Sequence, residues 1–308
     1  MDRYDIIIAG GGTAGLSAAI YGVRAGKTVL VLEEKFYGGQ IVNSPEVVNY
    51  PGIVKISGFE FAKNLYEQAI ALGAQYKQAR VMKIAETKTK VKQVFTRNAA
   101  GEEICYEAGA VILATGAKNR PLGLEREEAL IGAGISYCAT CDGMFFKGKD
   151  VAIVGGGNTA LEDALFLSGY CHHIYLIHRR DNFRGEDKLV EQLQNKEQVE
   201  FVMDSEVIQL KGDASLEQIV VRHVKTAKER EIAVSGLFVA IGQMPNNKDF
   251  SDVVTIDEKG YICAGEDCKT KTQGIYTAGD CRTKDVRQLA TAAADGAIAA
   301  LAACEYIG

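Results

Sequence analysis

The sequence predicts an α/β protein of two doubly wound, parallel-sheet units, one inserted into the other. Three observations carry that prediction. The apolar run Asp5-Ile6-Ile7-Ile8-Ala9 leads directly into Gly10-Gly11-Gly12-Thr13-Ala14-Gly15. A second run, Val151-Ala152-Ile153-Val154, leads into Gly155-Gly156-Gly157-Asn158-Thr159-Ala160. Between the two turns, shortly before the second run, stands Cys138-Ala139-Thr140-Cys141-Asp142.

In the first unit Asp5–Ala9 reads as a buried strand. Leu16, Ala19, Ile20 and Val23 then recur at helical spacing. Gly26 stops that helix, and Thr28-Val29-Leu30-Val31-Leu32 forms the next strand, ending at Glu33. Glycines at Gly10 and Gly12, followed by Thr13 and Ala14, allow a tight turn. They also let backbone N–H groups approach a pyrophosphate at the helix N-terminus. Glu33 lies 23 residues after Gly10, placed to accept hydrogen bonds from a ribose 2′-OH. This is a Rossmann-like dinucleotide-binding fingerprint.

The pattern repeats from Gly155 and Gly157 through a helix around Leu161, Ala164, Leu165 and Leu167. The strand Ile174-Tyr175-Leu176-Ile177 follows, and His178 stands 23 residues after Gly155. In place of a carboxylate this unit has His178-Arg179-Arg180, with Arg184 a turn later. A carboxylate repels a 2′-phosphate, whereas guanidiniums bind one through charge-assisted, bidentate bonds. The first turn therefore suits an adenosine with a free ribose, and the second suits NADPH.

Each unit closes with a β-rich run ending in glycine. Val111-Ile112-Leu113-Ala114-Thr115-Gly116 closes the first and Leu237-Phe238-Val239-Ala240-Ile241-Gly242 the second. The later stretch Gly274–Asp280 belongs to neither repeat and is assigned back to the first domain. The expected division is 1–117 and 246–308 for one discontinuous domain, with 118–245 inserted. Short adjacent strands around Lys118–Arg120 and Gln243–Asn247 should make the crossings.

With 308 residues, 47% of them hydrophobic, the chain can bury two cores. A net charge of −5 with scattered basic residues gives no support to nucleic-acid binding. The first strand starts within four residues, which predicts no signal or transit peptide. The alanine-rich C-terminal stretch is interrupted by Asp295, so no membrane span is expected. Eight cysteines in such a chain do not form a disulfide framework, and a cytoplasmic protein is expected. A bridge over two residues constrains little unfolded chain, so Cys138 and Cys141 suit electron exchange better than stapling. A zinc half-site is the alternative, but the chain has no second CxxC, and no metal is expected. Cys105, Cys171, Cys263, Cys268, Cys281 and Cys304 read as inert packed thiols. Cys171-His172-His173 reads as a surface loop.

The ordered set of motifs resembles the low-molecular-weight thioredoxin reductases over nearly the whole chain. The residues that carry the resemblance are Gly10–Gly15, Gly38-Gly39-Gln40, Asn49-Tyr50-Pro51-Gly52, Ala114-Thr115-Gly116, Cys138–Gly143, Gly155–Ala160, His178–Arg184, Gly279-Asp280 and Arg287-Gln288. The resemblance implies a discontinuous FAD domain with an inserted NADPH domain. It assigns Glu33, Gly39, Gln40 and Asn49 to the flavin, and likewise Asp280, Arg287, Gln288 and Leu289. It assigns Asn158, Thr159, His178, Arg179, Arg180 and Arg184 to NADPH. Thr13 departs from the family's usual proline, and Ala133 from a commonly basic position near the thioredoxin-docking surface.

The same resemblance makes Cys141 the flavin-facing sulfur and Cys138 the one that attacks the disulfide of thioredoxin or a thioredoxin-like carrier. Asp142 becomes the acid–base group. A homodimer is implied, as is rotation of the inserted domain between half-reactions. A non-enzymatic redox or nucleotide sensor is the second reading. Sustained NADPH consumption with an added disulfide protein separates the two.

Overall fold

The computed structural model describes residues 2–44, 46–87 and 89–308. The chain forms two compact units. One comprises the residues up to Lys118 together with Met244–Gly308, and the other is Asn119–Gln243.

The first unit opens with β1 (Arg3–Ala9), α1 (Thr13–Arg24) and β2 (Val29–Glu33). Ile6, Ile7 and Ile8 are all fully buried, as an uninterrupted apolar run requires of a central parallel strand. Gly10 turns the chain with φ +116°, and a Cβ there would stand 2.2 Å from the Ala114 carbonyl oxygen. No other residue fits that turn. After β2 come α2 (Gly58–Ala71), β3 (Gln75–Gln78), β4 (Arg80–Glu86), β5 (Lys92–Arg97) and β6 (Glu103–Leu113). Ser57 caps α2 by accepting the Glu60 N–H. Along β5, buried Lys92, Val94 and Thr96 alternate with more exposed Gln93, Phe95 and Arg97, the period of a strand with one covered face. Lys92 is buried with its ammonium on Glu86.

The chain leaves this unit through β7 (Ala117–Asn119). The inserted unit then runs β8 (Ile135–Ser136), α3 (Ala139–Asp142), β9 (Asp150–Gly155), α4 (Asn158–Leu167), β10 (His173–Ile177), α5 (Asp187–Gln194) and β11 (Val199–Val202). It finishes with β12 (Ser205–Lys211), β13 (Gln218–His223), β14 (Glu229–Ala233) and β15 (Gly236–Ala240). Its parallel sheet has the order β11-β10-β9-β15-β8, and β12-β13-β14 form a separate antiparallel sheet. Ala152, Ile153, Leu176, Ile177, Leu237 and Phe238 are buried to within 1% on the three central strands.

The return crossing is β16 (Gln243–Pro245), which pairs with β7 in a two-stranded sheet. The first unit is completed by β17 (Ile275–Thr277) and α6 (Leu289–Ile307). Its sheet runs β3-β2-β1-β6-β5-β4, with β17 also on β6. β6 is long because it serves several partners. Glu103–Ala108 pairs antiparallel with β5, and Val111–Leu113 pairs parallel with β17, while β1 runs parallel beside it from Glu107.

By length and composition α6 could cross a membrane. It lies instead on α1, so closely that a Cβ on Gly296 would stand 2.2 Å from the Ala14 carbonyl oxygen. Cys171 and His172 do occupy a loop, but His173 begins β10, because its backbone continues the register of Asp150 on β9.

Candidate active site

In the first unit the residues singled out from the sequence collect at the carboxyl ends of parallel strands, where open α/β sheets bind ligands. Gly10 and Gly12 follow β1, Glu33 ends β2, Ala114-Thr115-Gly116 follow β6, and Gly279-Asp280 follow β17. Gly12 is the N-cap of α1 and offers no side-chain cap, so the first N–H groups of the helix keep their capacity for an anion. Thr13 and Ala14 are buried in its first turn. Glu33 accepts the Gly11 N–H at 2.7 Å and the Lys35 N–H at 3.0 Å, which closes the end of β2 onto the turn. Gly39 begins a short 3₁₀ segment, Gly39–Asn43. Within it Gln40 donates to the Ala117 carbonyl. Asn49 donates to the Gln288 side chain at 3.3 Å, which joins two residues far apart in sequence.

Asp280 is the most telling of this group. Its Oδ1 is buried with no hydrogen-bond partner among the described residues. Burial raises its carboxyl above the usual range, against the pull of Lys284 and Arg287. A buried acceptor in that condition keeps the capacity to receive a donor. Arg287 stacks its guanidinium 4.2 Å from the Tyr261 ring centre. Gln288 caps α6 in a reciprocal box with Thr291, and Leu289 is the first helical residue.

In the inserted unit Gly155 and Gly157 follow β9, and Gly157 caps α4 without a side-chain bond, as Gly12 caps α1. Asn158 is tied to Glu186 by two bonds of 2.9 Å, and Arg184 N–H reaches the Gly156 carbonyl at 2.6 Å. These bonds hold the arginine loop against the turn. Thr159, Arg179, Arg180 and Arg184 are exposed, and Gly242 has open space around its α-carbon. His178 is different: it is buried and stacks on Phe183 at 5.4 Å. A Cβ on Gly156 would stand 2.1 Å from its ring. Burial holds this imidazole below its usual pKa, with Arg184, Arg180 and Arg179 adding to the effect. It packs beneath the turn while the three arginines face solvent.

Cys138 and Cys141 form a disulfide at the start of α3. β8 pairs with β15 in the register Ser136↔Phe238, so the disulfide follows the carboxyl end of the edge strand. It thus lies at the same end of the sheet as the Gly155–Ala160 turn. Asp142 closes the segment half-buried. Burial raises its carboxyl pKa, and a 2.6 Å bond from Ser136 lowers it.

Sequence reasoning passed over several residues that organise these sites. Asn247 is buried, accepts from Thr115 at 2.8 Å, and donates to the Gly260 and Cys281 carbonyls at 2.9 and 3.0 Å. Buried Glu127 accepts three backbone N–H groups, from Leu122, Gly123 and Leu124, and the Tyr137 hydroxyl at 2.7 Å. The asparagine pair after Pro245 was a visible signal for Asn247; nothing in the run around Glu127 distinguished it from a surface acid.

The chain matches the family described as pyridine nucleotide-disulphide oxidoreductase over residues 4–297. It is 40% identical to a thioredoxin reductase of Treponema pallidum (strain Nichols), across 99% of this chain and 97% of that one. A Clostridium pasteurianum protein described as a 34.2 kDa protein in rubredoxin operon is also 40% identical, across 99% and 98%. The crystal structure of thioredoxin reductase from Streptococcus pyogenes MGAS5005 aligns with a TM-score of 0.92 and 36% identity, covering 99% of this chain and 98% of that chain. With a family match over residues 4–297 and full-length similarity to thioredoxin reductases, the chain belongs to the pyridine nucleotide-disulphide oxidoreductases, among the low-molecular-weight thioredoxin reductases.

Proposed function

We propose that the protein reduces the disulfide of thioredoxin, or of a thioredoxin-like carrier, with electrons from NADPH passed through FAD. The observation that carries this reading is the Cys138–Cys141 disulfide at the sheet end that also bears the glycine turn and Arg179, Arg180 and Arg184. The first unit fits FAD. Gly12 leaves the α1 N-terminus uncapped for a pyrophosphate, Glu33 stands at a ribose position, and the orphaned Asp280 Oδ1 can accept from a ribityl hydroxyl. The second unit fits NADPH, with the pyrophosphate at the N-terminus of α4 and the 2′-phosphate on the arginines.

When bound, the flavin supplies the passage from hydride chemistry to the two-electron opening of a disulfide. The chain's own residues do the rest. Cys141 faces the flavin, and Cys138 attacks the carrier disulfide as a thiolate, which a helix N-terminus favours. Asp142 returns a proton to a departing thiolate. The paired crossings β7 and β16 would serve as the hinge on which the inserted unit alternates between two poses, since a nicotinamide held by this unit and the disulfide would ride on one body and need the same flavin ring.

The test is NADPH oxidation followed with oxidised thioredoxin present and absent. Thioredoxin-dependent turnover should vanish in Cys138→Ser and in Cys141→Ser. Turnover surviving in either variant refutes the reading.

A further inference from the structure

Ser136 ends β8, two residues before Cys138, and is buried. A serine hydroxyl has one proton to give and lone pairs to accept with. Three groups surround this one. The Cys138 N–H donates to Oγ at 3.1 Å, Asp142 Oδ2 lies 2.6 Å away, and the Cys138 carbonyl oxygen lies 3.3 Å away. One proton cannot serve both acceptors at once. With Asp142 ionised, the proton belongs to the carboxylate, which is the shorter and charge-assisted bond.

With Asp142 protonated the hydroxyl reverses. Asp142 Oδ1 is buried and has no partner among the described residues, so a proton placed there would go unbonded. A proton on Oδ2 can instead be donated to Ser136 Oγ, and the serine proton then turns to the Cys138 carbonyl. That carbonyl already receives the N–H groups of Cys141 and Asp142 at 3.2 and 3.1 Å. The switch therefore acts on the peptide that joins Cys138 to α3.

The other titratable groups nearby are few. α4, packed on α3, carries Asp163; Tyr170 places its phenol oxygen 2.7 Å from where a Cβ on Gly143 would be. On the other side Tyr137 is held by Glu127. Burial and the Ser136 bond are the two influences on the Asp142 carboxyl, and they oppose one another.

We propose that Ser136 is a positioning residue for disulfide exchange, a two-way hydroxyl that keeps the buried Asp142 bonded in both of its protonation states. The inference rests on the reading of Asp142 as the acid. In the step concerned the Cys138 thiolate attacks one sulfur of the carrier disulfide and forms a mixed S–S bond. The carrier's own S–S bond breaks with its electron pair on the departing sulfur, and an O–H bond of Asp142 breaks as an S–H bond forms there. The new carboxylate takes the Ser136 proton as its hydrogen bond. The reactants are the reduced Cys138 and the carrier disulfide.

The experiment measures two quantities against pH in the holoenzyme. One is the rate of thioredoxin reduction. The other is the carboxylic C=O infrared band of the oxidised protein at rest, assigned to Asp142 by its loss in Asp142→Asn. Removing the hydroxyl in Ser136→Ala should raise the midpoint of both titrations by about one pH unit, a tenfold change in the acid equilibrium. Ser136→Thr should restore them. Ser136→Cys, close in size and a weak donor, should shift upward as well, and it decides the matter if the alanine variant does not fold. Unmoved midpoints in a folded Ser136→Ala or Ser136→Cys protein overturn the proposal. A wild-type pH limb persisting in Asp142→Asn overturns instead the role of Asp142 on which it rests.

Discussion

Arg282 and Asp295 meet through two hydrogen bonds of 2.8 Å, Nε to Oδ2 and Nη2 to Oδ1, with both side chains buried. Lys284 adds a third bond at 2.9 Å, and the Gly279 N–H a fourth at 2.9 Å. Burial pushes the Asp295 carboxyl up, but Arg282, Lys284 and the Gly279 N–H outweigh it and hold the group below its usual range. The network pins the backbone that presents Asp280, and it does so from α6.

Breaking this network by removing the anion should be costly. Asp295→Ala leaves Arg282 and Lys284 buried without their shared counter-charge, a change worth about 3–5 kcal/mol in comparable pairs. Lys284→Met should cost less, since Arg282 still pairs with the carboxylate. Chemical denaturation of the two variants compares them directly. Equal losses would show that the lysine carries as much of the network as the aspartate.

Asp163 should make stability depend on pH. Burial, with the neighbouring Glu162, raises its carboxyl pKa to about 7. The folded chain then keeps a proton that the unfolded chain releases near the ordinary value of about 4. Its contribution is complete below that ordinary value and is lost as pH rises through about 7. Asp163→Asn should change stability little near pH 4 and raise it at pH 8, by on the order of 2–4 kcal/mol. Urea denaturation at the two pH values reads the difference, and an equal effect at both would assign Asp163 an ordinary carboxyl.

Coenzyme choice should rest on the exposed arginines. Hydrogen bonds to charged groups contribute about 1.5–3 kcal/mol each, so Arg179→Ala with Arg180→Ala should weaken NADPH at least tenfold. NADH, which lacks the 2′-phosphate, should be affected far less. The KM values for both coenzymes decide this, and equal losses would make the cluster structural. His178→Phe should impair both coenzymes alike, because the imidazole supports the turn at Gly156 and faces away from solvent.

The two sulfurs should differ by spectroscopy. If Cys141 faces the flavin, Cys138→Ser leaves a lone Cys141 thiolate beside oxidised FAD. That pair should give a long-wavelength charge-transfer band which Cys141→Ser lacks. A band in the Cys141→Ser protein would exchange the two roles.

Much of this protein is local in origin and could be read from the chain. Ile6–Ile8 and Ala152–Val154 announce buried parallel strands, and the glycines after each announce a turn that side chains would block. The CxxC and the contrast between Glu33 and His178-Arg179-Arg180 announce redox and nucleotide chemistry, because residue type and spacing alone carry that information. The helix over Thr13–Arg24 and the strands over Val29–Glu33 and His173–Ile177 differ from expectation by a few terminal residues, where capping sets the boundary.

Tertiary structure decided what depends on residues distant in sequence. The antiparallel sheets of β4–β6 and β12–β14 went unread, since their half-buried alternation is weak and their pairing is non-local. Asn247 became a hub only when folding brought Thr115, Gly260 and Cys281 around it. His178 and the arginines beside it form one motif in sequence, yet the ring packs inward against Gly156 and Phe183 while Arg179, Arg180 and Arg184 stay exposed in the loop after β10. Asp295 looked like a charge breaking an apolar helix. Packing α6 on α1 buried it beside Arg282, and burial changed an interruption into the anchor of the Asp280 backbone, because a charge removed from water must find its partners inside.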